Sequence, residues 1–134
     1  MSVLILALSV VASASHPVSV DHKGAAVQAV YDARVETRMK TVGMSVGTRM
    51  GNEACRWEAN VAVERRVGGL VKTVDSDKRI TGQRPGSCKM VGKHVATEVA
   101  ARSDEIHGHV RQVAEADRPA LIADIEAAHG LAMN

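Results

Sequence analysis

Three sets of residues in this chain have the types and spacing to do chemistry. The first is "GMSVG" at 43–47, in which Ser45 stands between Gly43 and Gly47. This fits the G-x-S-x-G elbow that presents a serine nucleophile on a sharp strand-to-helix turn. The elbow also needs a helix directly after the serine, and an acid and a histidine further on. Here Ser45 lies inside a period-two run and the turn residues Gly51-Asn52 follow it. The pattern therefore predicts a strand on which Gly43, Ser45 and Gly47 leave one face bare and open to close approach, not a nucleophile.

The second set is two His/Glu pairs at i,i+4, His94 with Glu98 and Glu105 with His109, each able to offer two ligands from one helix face. The pairs cannot share an ion, because Glu98 and Glu105 are about 10 Å apart along a helix axis. Two ligands make a weak site, so no metal or other cofactor is expected. The third set is Cys55 and Cys88, the only cysteines. With no CxxC and no histidine at ligand spacing, they read as a disulfide, not as zinc or redox chemistry.

The disulfide implies an oxidising compartment, and the start of the chain agrees. Val3–Val11, "VLILALSVV", is an unbroken run of apolar and small residues, followed by Ala12-Ser13-Ala14. The run is too short to span a bilayer but has the make-up of a secretory signal ending in a small-residue cleavage site, the alternative being a buried N-terminal strand or helix. No Lys or Arg precedes it, which departs from the usual charged start. The expected organisation is a signal peptide at 1–14, a polar arm at 15–26 and one folded domain at 27–134, periplasmic or secreted. No stable membrane span is expected in the mature chain.

The elements that must position these residues follow from periodicity. Val35, Thr37 and Met39 alternate with Arg34, Glu36, Arg38 and Lys40. After Thr41 the apolar face moves to Val42, Met44 and Val46, a phase slip of the kind a β-bulge makes. Cys55, Trp57, Ala59, Val61 and Val63 mark the inward face of the next strand, and Gly68-Gly69 a tight turn into another. A polar stretch at 75–79 separates that strand from a short piece near Ile80, and 82–87, "GQRPGS", reads as loop. Beyond it, Val91, Val95, Val99, Ile106, Val110 and Val113 recur at helical spacing. Asp117 and Pro119 look like the cap and first turn of a second helix.

The fold class expected is α+β: an antiparallel β-meander of three to four strands (about 27–81), then two C-terminal helices (about 89–129), with one disulfide. Phe is absent, and Trp57 and Tyr31 are the sole Trp and Tyr. The core must be aliphatic, with Trp57 packed beside the disulfide. Scarce aromatics and a net charge of +2 argue against nucleic-acid binding and against carbohydrate platforms. Charge is nevertheless divided: residues 15–90 hold 13 Lys/Arg against 8 Asp/Glu, and residues 91–134 hold 4 against 7. The division suits compensation between sheet and helices, or a basic sheet face that meets an unidentified protein or an anionic envelope component.

The functional expectation is a non-enzymatic binding or envelope-associated module that uses the polar sheet face or the loop at 82–87, with Gly43, Ser45, Gly47 and Arg84 as the candidate patch. Two alternatives stand beside it. One is a small hydrolase using Ser45; the other is a secreted inhibitor presenting Arg84 from the 82–87 loop.

Overall fold

The computed structural model describes residues 6–43 and 52–132. Four antiparallel strands, β1 (Leu6–His22), β2 (Ala25–Val42), β3 (Ala54–Val67) and β4 (Leu70–Pro85), pair in the order of the sequence. Two helices follow, α1 (Cys88–Ala101) and α2 (Ser103–Ala132). This is the α+β meander with two C-terminal helices that the periodicity predicts.

The hairpins are closed by residues that tolerate positive φ. Lys23 (φ 51°) and Gly24 (φ 82°) form the two-residue turn between the paired His22 and Ala25. Positive φ at both positions gives the turn twist that matches twisted strands. Gly68 (φ 58°) opens the Gly68-Gly69 turn between Val67 and Leu70.

One sheet face builds the core. Ala29, Tyr31, Ala33, Val35 and Met39 of β2 and Cys55, Trp57, Ala59, Val61 and Val63 of β3 are buried in a single cluster. Val95 of α1 and Ile106, Val110, Ala114, Leu121 and Ile125 of α2 complete it, so both helices lie on that face. Residues 106, 110, 114, 121 and 125 are four or seven apart, which keeps them on one stripe of a helix. The alanines on the sheet leave room for aliphatic helix side chains, so the core closes with only one large ring system, Trp57, beside the single phenol of Tyr31.

Several expectations change. Residues 15–26 are not an arm: Ser15–His22 pair with Ala25–Asp32 as the second half of β1, and Val20 is buried. Pro17 is tolerated because β1 is an edge strand, where a missing N–H can face away from the ladder. The stretch at 75–79 does not interrupt β4, which absorbs it through register shifts opposite Val61–Glu64. Gly82–Pro85 finish β4, so most of the expected 82–87 loop is strand. The slip after Thr41 cannot be followed, since β2 ends at Val42 and Met44 and Val46 lie outside the described residues.

The helices also divide elsewhere. The break falls at Arg102, whose N–H donates to the Val99 carbonyl while its own carbonyl accepts from Ile106. Asp117 is therefore no cap, and Pro119 sits inside α2. Pro119 lacks the N–H that would bond to the carbonyl of residue 115, and the packed stripe on either side carries the helix through.

Candidate functional site

With both helices on the inner face, the other face of the sheet keeps its polar side chains in solvent. Alternation puts Arg38 and Lys40 of β2, Arg56 and Glu58 of β3, and Thr81 and Gln83 of β4 on this outer face. The register aligns them in two rows, Arg38–Glu58–Thr81 and Lys40–Arg56–Gln83. Between the rows runs the line Met39–Trp57–Gly82, which belongs to the core side of the sheet. Together these nine residues line a depression of about 650 Å³.

On the core side of the Met39–Trp57–Gly82 line the Trp57 indole lies against Gly82. A Cβ there would lie 2.3 Å from Cζ2 of Trp57, so the indole occupies the space of a missing side chain. The Trp57 Nε1 is buried without a hydrogen-bond partner among the described residues. Trp57 is buried on the same face of β3 as Cys55, two residues further on.

The charge in the depression is uneven. Arg38 Nε lies 3.1 Å from Oε1 of Glu36, and Glu58 is paired with Arg79 at 3.4 Å. Arg56 Nε donates to neutral Gln83 Oε1 at 3.2 Å. Lys40 and Arg56 stand directly opposite each other on neighbouring strands, and neither pairs with a carboxylate among the described residues. Like charges opposed across a ladder cost stability. Such a pair is a place where an incoming anion would relieve repulsion.

The expected site residues fare differently. Gly43 (φ 102°) belongs to the strand connection: a Cβ there would lie 1.9 Å from the Asn52 carbonyl oxygen. Its bareness serves a backbone crossing where β2 leaves the sheet. Ser45 and Gly47 lie outside the described residues. Cys55 and Cys88 are bonded, with Cα atoms 4.8 Å apart. Arg84 is half-buried opposite Cys55, and its Nη1 donates to Glu98 Oε1 of α1 at 2.9 Å. The inhibitor alternative expected Arg84 on a loop; here it stands on β4, paired to β3, and its guanidinium meets α1.

Three of the four residues in the helical His/Glu pairs meet other partners. Glu98 meets Arg84, and His109 Nε2 lies 2.9 Å from Oδ2 of Asp75. Glu105 is bonded by Lys78 and Arg102, which hold its carboxyl below the usual range. Among the described residues, no three His, Cys, Asp or Glu side chains gather into a metal-sized group.

No protein-family model, curated protein or solved structure matches this chain. Its chemistry has to be read from its own geometry.

The feature least visible in the sequence is a buried polar network. Arg65 is 4% exposed on the inner face of β3. Its Nη1 donates to Asp117 Oδ2 at 2.5 Å and its Nη2 to Asp124, while the Tyr31 hydroxyl donates to Asp117 Oδ2 at 2.7 Å. Burial works against the Arg65 charge, yet the two aspartates outweigh it and hold the guanidinium above its ordinary value. Asp124, bonded by Arg65 and near Lys72, is held below the usual carboxylate range. A signal existed: Arg65 continues the inward parity of residues 55–63, and Asp117 falls on the apolar stripe of α2.

Burial, followed by the bond to the Asp117 carboxylate, pushes the Tyr31 phenol well above its ordinary value of 10.0. The folded state therefore keeps this proton more tightly than the unfolded chain. The resulting stabilisation is complete below the ordinary value and is lost as pH rises beyond it. Tyr31 is the only tyrosine, so phenolate absorbance reports one group. Tyrosinate is expected to appear only together with alkaline unfolding followed by circular dichroism. Ionisation near the ordinary value in a chain that stays folded would contradict the placement of Tyr31.

Proposed function

We propose that this chain is an exported, non-enzymatic module whose outer sheet face docks an anionic component of the cell envelope. The carrying observation is Lys40 opposite Arg56, with Arg38 beside them in one depression and no carboxylate answering the pair among the described residues. Export is supported by the apolar run at 3–11, by Ala12-Ser13-Ala14 after it, and by the Cys55–Cys88 disulfide. A non-enzymatic role is supported by the way the reactive residues are used. Glu98 is paired with Arg84, His109 is hydrogen-bonded to Asp75, and the cysteines are bonded to each other.

Sedimentation of the oxidised protein with vesicles tests the reading. It should bind phosphatidylglycerol-containing vesicles and not pure phosphatidylcholine, and binding should weaken as salt rises. Lys40→Glu with Arg56→Glu should weaken binding at least about tenfold, since each basic residue near an anionic surface contributes roughly 1 kcal/mol. Lys89→Glu, on the exposed side of α1, should change it little. Equal loss in both variants would leave only the net charge of the chain and sink the site.

A further inference from the structure

β1 is built in two pieces. Leu6–Val11 pair with Met39–Arg34 in six consecutive steps, and Ser15–His22 pair with Asp32–Ala25 in eight. Between them the register shifts, with Ala12, Ser13 and Ala14 set against Ala33 alone. The one irregular point in this ladder is thus the small-residue segment that reads as a cleavage site.

We propose that removal of residues 1–14 uncovers the β2 edge at 34–39, and that this edge pairs with the same edge of a second copy. The inference rests on the export reading above. Cleavage hydrolyses the Ala14–Ser15 peptide bond, consuming one water and leaving a carboxylate on Ala14 and an amine on Ser15. The Ser15–His22 piece stays attached through its own pairs and the Lys23-Gly24 turn. The backbone groups of residues 34–39 that had faced Leu6–Val11 then lack protein partners, and an open edge is a template for another strand. Before cleavage the leading segment occupies that edge, which keeps the precursor from self-pairing.

Charge at the centre of the edge favours a second copy as its occupant. Two antiparallel β2 edges related by a two-fold axis can place Thr37 opposite the partner's Thr37. Glu36 then faces the partner's Arg38, Arg38 faces the partner's Glu36, and Val35 faces the partner's Met39. Sliding by two residues one way sets Glu36 against the partner's Glu36; the other way sets Arg38 against the partner's Arg38. A slip of one residue would oppose the buried and solvated faces. Of these three face-matched registers, the Thr37-centred one alone sets opposite charges against each other at its centre, with Arg34 meeting the partner's Lys40 only at the two ends, and there the edge is complementary to itself.

The test uses the chain expressed with its own N-terminus in a secreting bacterial host. The product is weighed by mass spectrometry and then sized by light scattering over a range of concentrations. The expected result is a mass corresponding to a start at Ser15 and a dimer. A product that starts at Ser15 and stays monomeric overturns the edge pairing while leaving export standing. A product that retains residues 1–14 overturns both, and the mass tells the two failures apart.

Two variants then probe the register. Glu36→Lys alone and Arg38→Glu alone should each weaken dimerisation at least about tenfold, because each sets two like-charge pairs opposite one another. Mixed one to one, they should form a heterodimer. The lysine introduced at position 36 of one chain then faces the glutamate introduced at position 38 of the other, and the remaining Arg38 faces the remaining Glu36. Failure of the mixture to dimerise, when the unsubstituted chain does, overturns this register.

Discussion

Replacing Arg65 with methionine is expected to destabilise the fold by about 3–5 kcal/mol, the usual loss when one partner of a buried ion pair is removed. The side chain that remains explains the size. Asp117, 13% exposed, would be left beside the Tyr31 hydroxyl with no cation to answer it. Asp124 would suffer less, because it is half in solvent and retains Lys72 at 3.5 Å. Urea denaturation checks the prediction through a lower midpoint at an unchanged slope. A triple variant sharpens it: Tyr31→Phe, Arg65→Met and Asp117→Leu together should recover most of the loss, since a buried polar set replaced whole by apolar groups is often neutral or better. If Arg65→Met alone costs less than about 1 kcal/mol, the network is wetter than its burial indicates.

Cutting the disulfide is the second large effect. Replacing Cys55 and Cys88 with alanine should cost about 3–4 kcal/mol, as chain entropy predicts for a closed loop of this size; the sequence separation is 33. The bridge joins β3 to the first residue of α1, and both cysteines are buried. Two other ties hold the same corner. Thr41 Oγ1 accepts the Cys88 N–H at 3.0 Å, and Glu98 accepts from Arg84. With these in place, α1 should stay docked in the reduced protein, so the loss should appear in the thermal midpoint more than in helix content. Melting with and without reductant, followed by circular dichroism, measures both. Unchanged midpoints would mean that the unfolded chain gains no freedom when the bond is opened.

Much of this was legible from residue order. The clean alternation of 55–63, the Gly68-Gly69 turn and the three- and four-residue spacing after residue 90 name their elements, and two lone cysteines name the bridge. The misreadings have a common cause, which is polar residues whose partners are distant in sequence. His16, Pro17 and Asp21 hide the alternation of β1, and the acidic and basic run at 75–79 hides a bulged strand. Asp117 resembles a helix cap because caps are local, whereas its partners Tyr31 and Arg65 are 86 and 52 residues away. The outer-face cations needed the register: alternation puts Lys40 and Arg56 outward, but only strand pairing sets one against the other.

The strands pair with their sequence neighbours, yet α2 packs chiefly against β1 and β2. His129 near its end lies against His22, with ring centroids 5.1 Å apart. A chain that emerges amino end first, from a ribosome or through a translocation pore, can zip its hairpins as they appear. The apolar side of that growing sheet is closed only when the helices arrive, and its larger cover is the 30-residue α2. Emergence therefore has a vulnerable interval, between the exit of β4 and the exit of α2. During it the half-delivered chain offers its greasy face to any holding factor or neighbouring nascent chain, and slowing the delivery of α2 would lengthen that exposure.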